Sequence, residues 1–181
     1  MFGAMRVRPA QRPISIWLSV SDWAAGGITH VDSFAIASAF AAAGVDLIDV
    51  STGQTVPDQA PTYGRMYQVL FAEAVRNELG LRTMCVGAIT EAAQVNTIIG
   101  CRRADLVAIG RPHLTNPNWT QHAAAWYGRR NIAFPPPYRS GAAQLFRETE
   151  NAREKQVELQ RKAKPARHHT TAMRELRAAA E

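Results

Sequence analysis

A strand-then-helix pattern repeats four times along this chain, and it restricts the possible folds more than any other feature. Short apolar segments rich in β-branched residues lie at residues 13–20, 45–50, 82–89 and 104–109. Segments with helical periodicity follow them at residues 30–43, 67–79, 91–99 and 118–127, and a glycine ends each helix. Because each unit takes about thirty residues, the pattern predicts parallel strands joined by right-handed crossovers.

Short polar motifs mark the expected helix boundaries. Thr29 precedes the first helix, and Asp32 stands three residues later, as in a capping box. Thr90 is the expected N-cap of the third helix, and Asn116-Pro117 is the expected start of the fourth. The class is therefore α/β, and four such units fit either a flavodoxin-like open sheet or half of a (β/α)8 barrel.

The third and fourth strands both end in a glycine that leads into a helix start, in "VGAIT" and "IGRPHLTNP". Barrels commonly bind phosphate in the loops after their last two strands, which favours the barrel. Gly87 and Gly110 would let phosphate oxygens approach backbone N–H groups, and Arg111 would add a guanidinium fork. The residues indicate a phosphate site, and a plain turn with a surface arginine is the alternative.

Composition excludes several classes of function. Cys85 and Cys101 lack the spacing of a metal site or a disulfide framework, so we expect no metal. No apolar run reaches the ~18–20 residues that span a bilayer, and the N-terminus has no secretory signal, so we expect a cytoplasmic protein. Asp22 and Asp49 lie at or near strand ends. A buried acid at such a position could act as a general base, but we expect both residues to cap loops or to form ion pairs.

The basic residues are unevenly distributed along the chain. The formal net charge is +6, yet all cations before residue 147 are arginines, and the three lysines lie in the tail. The tail interleaves glutamates with basic residues at helical spacing, which predicts a solvated helix rather than a nucleic-acid-binding segment. We therefore expect an irregular lead at 1–12, a half barrel at 13–141 and a polar, partly helical tail at 142–181.

Several longer motifs carry a family resemblance over residues 5–141. "SVSDWAAGGIT", "GVDLIDVSTGQTVP", "YGRMYQVLFAEAVRNELGLRTMCVGAIT" and "RADLVAIGRPHLTNPNWTQHAAAWYG" resemble the C-terminal half of an Old Yellow Enzyme-type NADH:flavin oxidoreductase. Within that family, "DVSTGQTVP", "YGRM" and "PPPYRSGAAQLF" are most similar to the reductase part of bifunctional anthraniloyl-CoA monooxygenase/salicylyl-CoA 5-hydroxylase proteins.

The resemblance implies a fold and a reaction. The fold would be the C-terminal four βα units of a (β/α)8 TIM barrel, followed by a polar C-terminal helix. The cofactor would be FMN, with NAD(P)H as hydride donor, in a reaction of the ene-reductase type. The acceptor would be a small molecule, such as an aromatic acyl-CoA derivative.

The resemblance also implies roles for individual residues. The matched cofactor-binding positions are Val86, Gly87, Gly110 and Arg111. Trp17 occupies the position of a family arginine that reaches the flavin, and there we expect a buried indole that packs as core but cannot stabilise the reduced flavin. Tyr138 and Arg139 match a segment that contributes to a neighbouring subunit's active site, with a Pro-rich surface turn as the alternative.

The barrel that the resemblance implies is incomplete in this chain. A barrel needs eight strands and typically ~250 residues, whereas four strands are predicted here. We therefore expect two open sheet edges and an uncovered inner face rich in Ile, Val and Leu. Two copies could associate, or a separate N-terminal half could complete the barrel; otherwise the chain is a truncated, non-catalytic half barrel.

Overall fold

The computed structural model of the protein describes residue 9 and residues 11–163, so parts of the predicted lead and tail lie outside the described residues. The first elements are β1 (Ser15–Ser19), α1 (His30–Ala42), β2 (Leu47–Ser51), α2 (Val69–Leu79), β3 (Thr83–Cys85), α3 (Ala92–Gly100), β4 (Leu106–Val107) and α4 (Arg111–Thr115). They are followed by α5 (Trp119–Trp126), a 3₁₀ helix (Pro136–Gly141) and α6 (Ala142–Lys162). The predicted alternation of strands and helices is confirmed.

The strands form one parallel sheet in the order β1-β2-β3-β4. The short β4 pairs with β3 through Leu106 and Val107, and the Ala108 N–H extends the pairing by donating to the Cys85 carbonyl at 2.8 Å. Parallel pairing in sequence order brings all the carboxyl ends of the strands to one edge. The loops that follow the strands therefore gather at that edge.

The described residues divide into two compact units, with the boundary between Pro117 and Asn118. The first unit contains the sheet and helices α1 to α4. The second contains α5, the 3₁₀ helix and α6. The division falls inside the segment that the sequence assigns to a single half barrel, and that domain assignment stays a prediction.

The two faces of the sheet differ in chemistry. On one face, Ile48, Val50 and Cys85 are fully buried in a core that helices α1, α2 and α3 complete. The opposite face carries the row Trp17, Asp49, Met84 and Leu106, whose members are paired in register from strand to strand. The expected inner face rich in Ile, Val and Leu is therefore wrong, because the strict alternation of a strand sends most of those residues to the helix side.

The helix starts follow the sequence in part. The predicted capping box of α1 is confirmed, since Thr29 and Asp32 exchange hydrogen bonds. Helix α3 begins after Glu91 rather than Thr90, because the Gln94 side-chain oxygen accepts from both backbone N–H groups at 2.8 and 2.9 Å. The predicted fourth helix is preceded by α4, a short helix that no sequence pattern predicts.

Candidate functional site

A cleft of about 520 Å³ opens at the carboxyl ends of the strands, within the first unit. Strand β1 itself and the segments that follow β2, β3 and β4 contribute to its walls. The lining residues are Trp17, Ser19, Ser51, Thr52, Gly53, Gln54, Thr55, Tyr67, Gln68, Val86, Gly87 and Arg111. The cleft therefore brings together four of the residues that the sequence analysis assigned to a cofactor site, namely Trp17, Val86, Gly87 and Arg111.

The turn after β3 is shaped by a glycine. Gly87 has a φ of +106°, which favours glycine, and a Cβ at this position would lie 2.9 Å from the Gln68 side-chain Cδ. The backbone of Gly87 and the side chain of Gln68 are thus in close contact across the cleft wall. No other residue type fits this position without moving Gln68.

Gln68 stands directly before helix α2, but its side chain does not cap that helix. Its Nε2 donates to the Tyr67 hydroxyl, which fixes the amide. Its Oε1 is buried and has no hydrogen-bond partner among the described residues. Gln68 therefore brings an unused acceptor to the wall of the cleft.

The loop after β2 is held in place by Asp22. One carboxylate oxygen of Asp22 accepts from the Thr55 hydroxyl at 2.5 Å, and the other accepts from the Ile28 N–H at 2.7 Å. These bonds, with that from Thr55 first, lower the pKa of Asp22 below its ordinary value although burial opposes them. The expectation that Asp22 ties loops together is confirmed, since it links the loop after β1 to the cleft loop.

Trp17 is 76% exposed, so the expectation of a buried, core-packed indole is wrong. Leu18 is buried against the helices, and the alternation along β1 turns Trp17 to the opposite face. The indole Nε1 donates to the Ser51 hydroxyl on β2. The indole therefore forms part of the cleft wall, with its only N–H donor already in use.

Asp49 lies beside Trp17 on the inner face of the sheet. Burial raises the pKa of this carboxyl group above its ordinary value. It does not line the cleft, so the structure gives no support for a general base that acts there.

Arg111 lines the cleft, whereas its neighbour Gly110 does not. Arg111 is exposed and lines the cleft, and its side chain forms no hydrogen bond or ion pair with any residue in the described part of the chain. Gly110 is not among the lining residues, and a Cβ there would meet nothing within 4 Å. Packing against Gln68 therefore requires a glycine at Gly87, whereas nothing in the described residues requires one at Gly110.

Tyr138 and Arg139 lie in the 3₁₀ helix of the second unit, and both are exposed. Their contribution to a neighbouring subunit stays a prediction.

The described residues contain no cluster of His, Cys, Asp or Glu that could hold a metal ion. Cys85 is fully buried, and burial raises the pKa of its thiol to about 11. In the same part of the chain, no helix has the length and apolar character needed to cross a membrane.

Comparisons with known proteins place the chain in a family. The model of the NADH:flavin oxidoreductase / NADH oxidase family matches residues 5–129. The chain is 38% identical over 126 residues to a protein from Halalkalibacterium halodurans named NADPH dehydrogenase, and 40% identical over 129 residues to one of the same name from Geobacillus thermodenitrificans. These matches cover 70% and 71% of this chain.

The same relatives are considerably longer than this chain. Each match covers 37% of the relative's length, and a third NADPH dehydrogenase, from Listeria innocua, is matched at 40% identity over the same share. The chain therefore spans about 37% of the length of the curated relatives it matches. By its parallel α/β architecture and by the family match over more than half of its residues, the chain belongs to the NADH:flavin oxidoreductase / NADH oxidase family.

Proposed function

We propose that this chain supplies the FMN-phosphate-binding part of an FMN-dependent NAD(P)H oxidoreductase of the ene-reductase type. Its first unit would be the C-terminal four βα units of a (β/α)8 barrel. One observation carries the proposal: Arg111, a cation without an anionic partner among the described residues, lines the same cleft as the close-approach glycine Gly87.

The cleft fits a ligand with a phosphate at one end. A guanidinium group offers parallel N–H donors that match phosphate oxygens, and a glycine backbone lets such oxygens come near. The buried Gln68 Oε1 still needs a donor, which an organic ligand can supply and inorganic phosphate at neutral pH supplies poorly. Val86, Gly87 and Arg111 would therefore hold the phosphate end of FMN, with Gly110 contributing only the turn before Arg111.

The remaining cleft residues act on the rest of the ligand. When bound, FMN would supply hydride transfer from NAD(P)H to the acceptor. Trp17 offers a flat apolar surface beside the cleft but no cation, so it stabilises negative charge on a bound flavin less well than an arginine would. The names of the relatives, NADPH dehydrogenase, support a nicotinamide donor.

Two sequence motifs support a class of acceptor. The segments "DVSTGQTVP" and "PPPYRSGAAQLF" support an acceptor of the aromatic acyl-CoA class, as in the reductase part of anthraniloyl-CoA monooxygenases. Tyr138 and Arg139 would then reach a neighbouring subunit. We also propose that the protein acts in the cytoplasm.

Fluorescence titration with FMN and with riboflavin tests the phosphate site, because riboflavin lacks only the phosphate. Arg111→Ala should weaken FMN binding by about 10- to 100-fold, the loss of one charge-assisted contact, and leave riboflavin unchanged. Arg82→Ala is the matched control, since Arg82 is also exposed but precedes β3, at the opposite ends of the strands. Equal binding of FMN and riboflavin by the unmodified chain would refute the phosphate site.

A second candidate function is a non-catalytic half barrel that associates with another chain. The observation that favours it is the inner sheet face, where Trp17 is 76% and Leu106 is 52% exposed. Edge strands β1 and β4 also leave backbone groups available for pairing. A second copy or a complementary N-terminal half would cover this face. Light scattering of the purified chain at increasing concentration tests whether two copies associate.

A further inference from the structure

One residue of the cleft wall is held in a backbone conformation that disfavours its side chain. Gln54, in the loop after β2, has a φ of +60°, which lies in the left-handed region. A residue with a Cβ is less stable there than glycine, because the Cβ approaches the following carbonyl oxygen. Such a conformation persists only where the surrounding structure imposes it, and it is concentrated at functional sites.

The neighbouring residues impose this conformation on Gln54. Its backbone N–H donates to the Gln59 side-chain Oε1 at 2.5 Å, and the N–H of Gly53 donates to the Ser21 carbonyl at 2.8 Å. Gly53 has a φ of +72°, and a Cβ on it would lie 2.5 Å from the same Gln59 oxygen, so Gln59 reaches the turn only because position 53 is glycine. The protein itself therefore fixes the backbone of Gln54, and Gln59 is its positioning residue.

The fold makes no use of the Gln54 side chain. The side chain is exposed and lines the cleft, and its amide forms no hydrogen bond with any residue in the described part of the chain. Glycine would fit the backbone better, so folding alone favours glycine at this position. An amide that folding does not require, held on the wall of a cleft, indicates a contact with a ligand.

We propose that Gln54 binds the carboxamide group of the nicotinamide ring of NAD(P)H at the mouth of the cleft. A glutamine amide has N–H donors beside a C=O acceptor, so a second planar carboxamide satisfies both kinds of atom at once, whereas a carboxylate can only accept. Gln54 is exposed, in contrast to the buried Thr52 and Gln68, and an exposed position suits a ligand that enters and leaves at each turnover. This inference rests on the proposed function, which supplies the nicotinamide donor.

NADP⁺ and its 3-acetylpyridine analogue test the proposal, because the analogue differs only by a methyl group in place of the amide NH₂. Neither carries a hydride to transfer, so calorimetric titration of the full chain with saturating FMN measures binding alone. The unmodified chain should bind NADP⁺ about 5- to 10-fold more tightly than the analogue, the value of one hydrogen bond.

Gln54→Met keeps the length of the side chain and removes its hydrogen-bonding atoms. This variant should bind NADP⁺ about 10-fold more weakly and should no longer distinguish NADP⁺ from the analogue. A general disturbance of the cleft would weaken both ligands equally and leave the preference unchanged, and that result would overturn the inference.

A matched pair of glycine variants tests whether folding needs the side chain. Arg102 is the control, since it is also exposed and left-handed, with a φ of +56°, but follows α3 and does not line the cleft. Gln54→Gly and Arg102→Gly should both be at least as resistant to urea as the unmodified chain, and only Gln54→Gly should lose affinity for NADP⁺. Lower resistance to urea in Gln54→Gly alone would show that folding requires this side chain, which would overturn the inference.

Failure of this inference and failure of the proposed function give different results. If the unmodified chain binds FMN but does not distinguish NADP⁺ from the analogue, the phosphate site stands and Gln54 does not recognise a carboxamide. If Gln54→Met weakens the binding of FMN and not that of NADP⁺, the amide contacts the flavin and the inference is wrong. If the unmodified chain binds no FMN, the proposed function fails and this inference with it.

Discussion

Gly87→Ala perturbs a backbone position on which the shape of the cleft depends. The new Cβ would lie 2.9, 3.0 and 3.2 Å from Cδ, Cγ and Cβ of Gln68, so the crowding includes the root of that side chain and not only its mobile end. In addition, the φ of +106° is rarely adopted by residues with a side chain. Both effects oppose the substitution.

The size of the effect can be estimated from these two contributions. The left-handed conformation costs about 1–2 kcal/mol for a residue with a Cβ, and overpacking adds about 1–3 kcal/mol. Gly87→Ala should therefore lower the free energy of unfolding by about 2–5 kcal/mol. Gly44→Ala should lower it by only about 1–2 kcal/mol, because Gly44 has a φ of +91° but nothing within 4 Å of its added Cβ.

Urea denaturation followed by circular dichroism measures both variants. The double variant Gly87→Ala/Gln68→Ala should recover about 1–3 kcal/mol relative to the sum of its single variants, because truncation of Gln68 makes room for the new methyl group. The reasoning is refuted if Gly87→Ala costs no more than Gly44→Ala, or if truncating Gln68 recovers nothing.

Two further substitutions test an ion pair and the inner face of the sheet. Arg76→Ala removes both guanidinium bonds to Asp105, at 3.0 and 3.1 Å, and should lower the free energy of unfolding at pH 7 by about 1 kcal/mol in urea titrations. Burial raises the pKa of Asp105, but the bonds from Arg76 and from the Thr83 N–H lower it overall. The difference in free energy of unfolding between Arg76→Ala and the unmodified chain should therefore vanish as the pH falls from about 4 through this lowered pKa. A difference that persists in acid contradicts this. Trp17→Arg should change the free energy of unfolding by less than about 0.5 kcal/mol, because the indole is exposed. It should also raise the reduction potential of bound FMN in a redox titration, because an arginine stabilises the negative charge of the reduced flavin; an unchanged potential would count against a flavin at this face.

The architecture could be predicted because it depends on local patterns. Apolar runs, glycine stops and the Thr29–Asp32 capping box fix where strands and helices lie, and parallel pairing follows from the connections. Glycine and arginine after the last two strands indicated Gly87 and Arg111 as cleft residues, and the structure places both there. These features need no knowledge of distant contacts.

The sequence-based predictions fail where tertiary contacts determine the position of a side chain. Trp17 has an apolar side chain inside an apolar strand, and only the register of the sheet shows that it faces away from the helices. Gln68 was missed because a polar residue before an apolar helix normally indicates a helix start. Its position in the cleft wall depends instead on contact with Gly87, nineteen positions away. The polar residue that precedes α2 without capping it was the available signal, and it becomes informative only once the cleft is known.

Gel filtration of the full chain with added FMN, and separately with added riboflavin, tests the central claim most directly when light scattering records the mass of each peak. The account predicts that the visible absorbance of flavin elutes with the protein for FMN and not for riboflavin, and that it does so at the mass of whichever assembly completes the cleft. Protein that elutes without flavin in both runs, or that retains riboflavin as well as FMN, would contradict a phosphate-binding cleft built on Gly87 and Arg111.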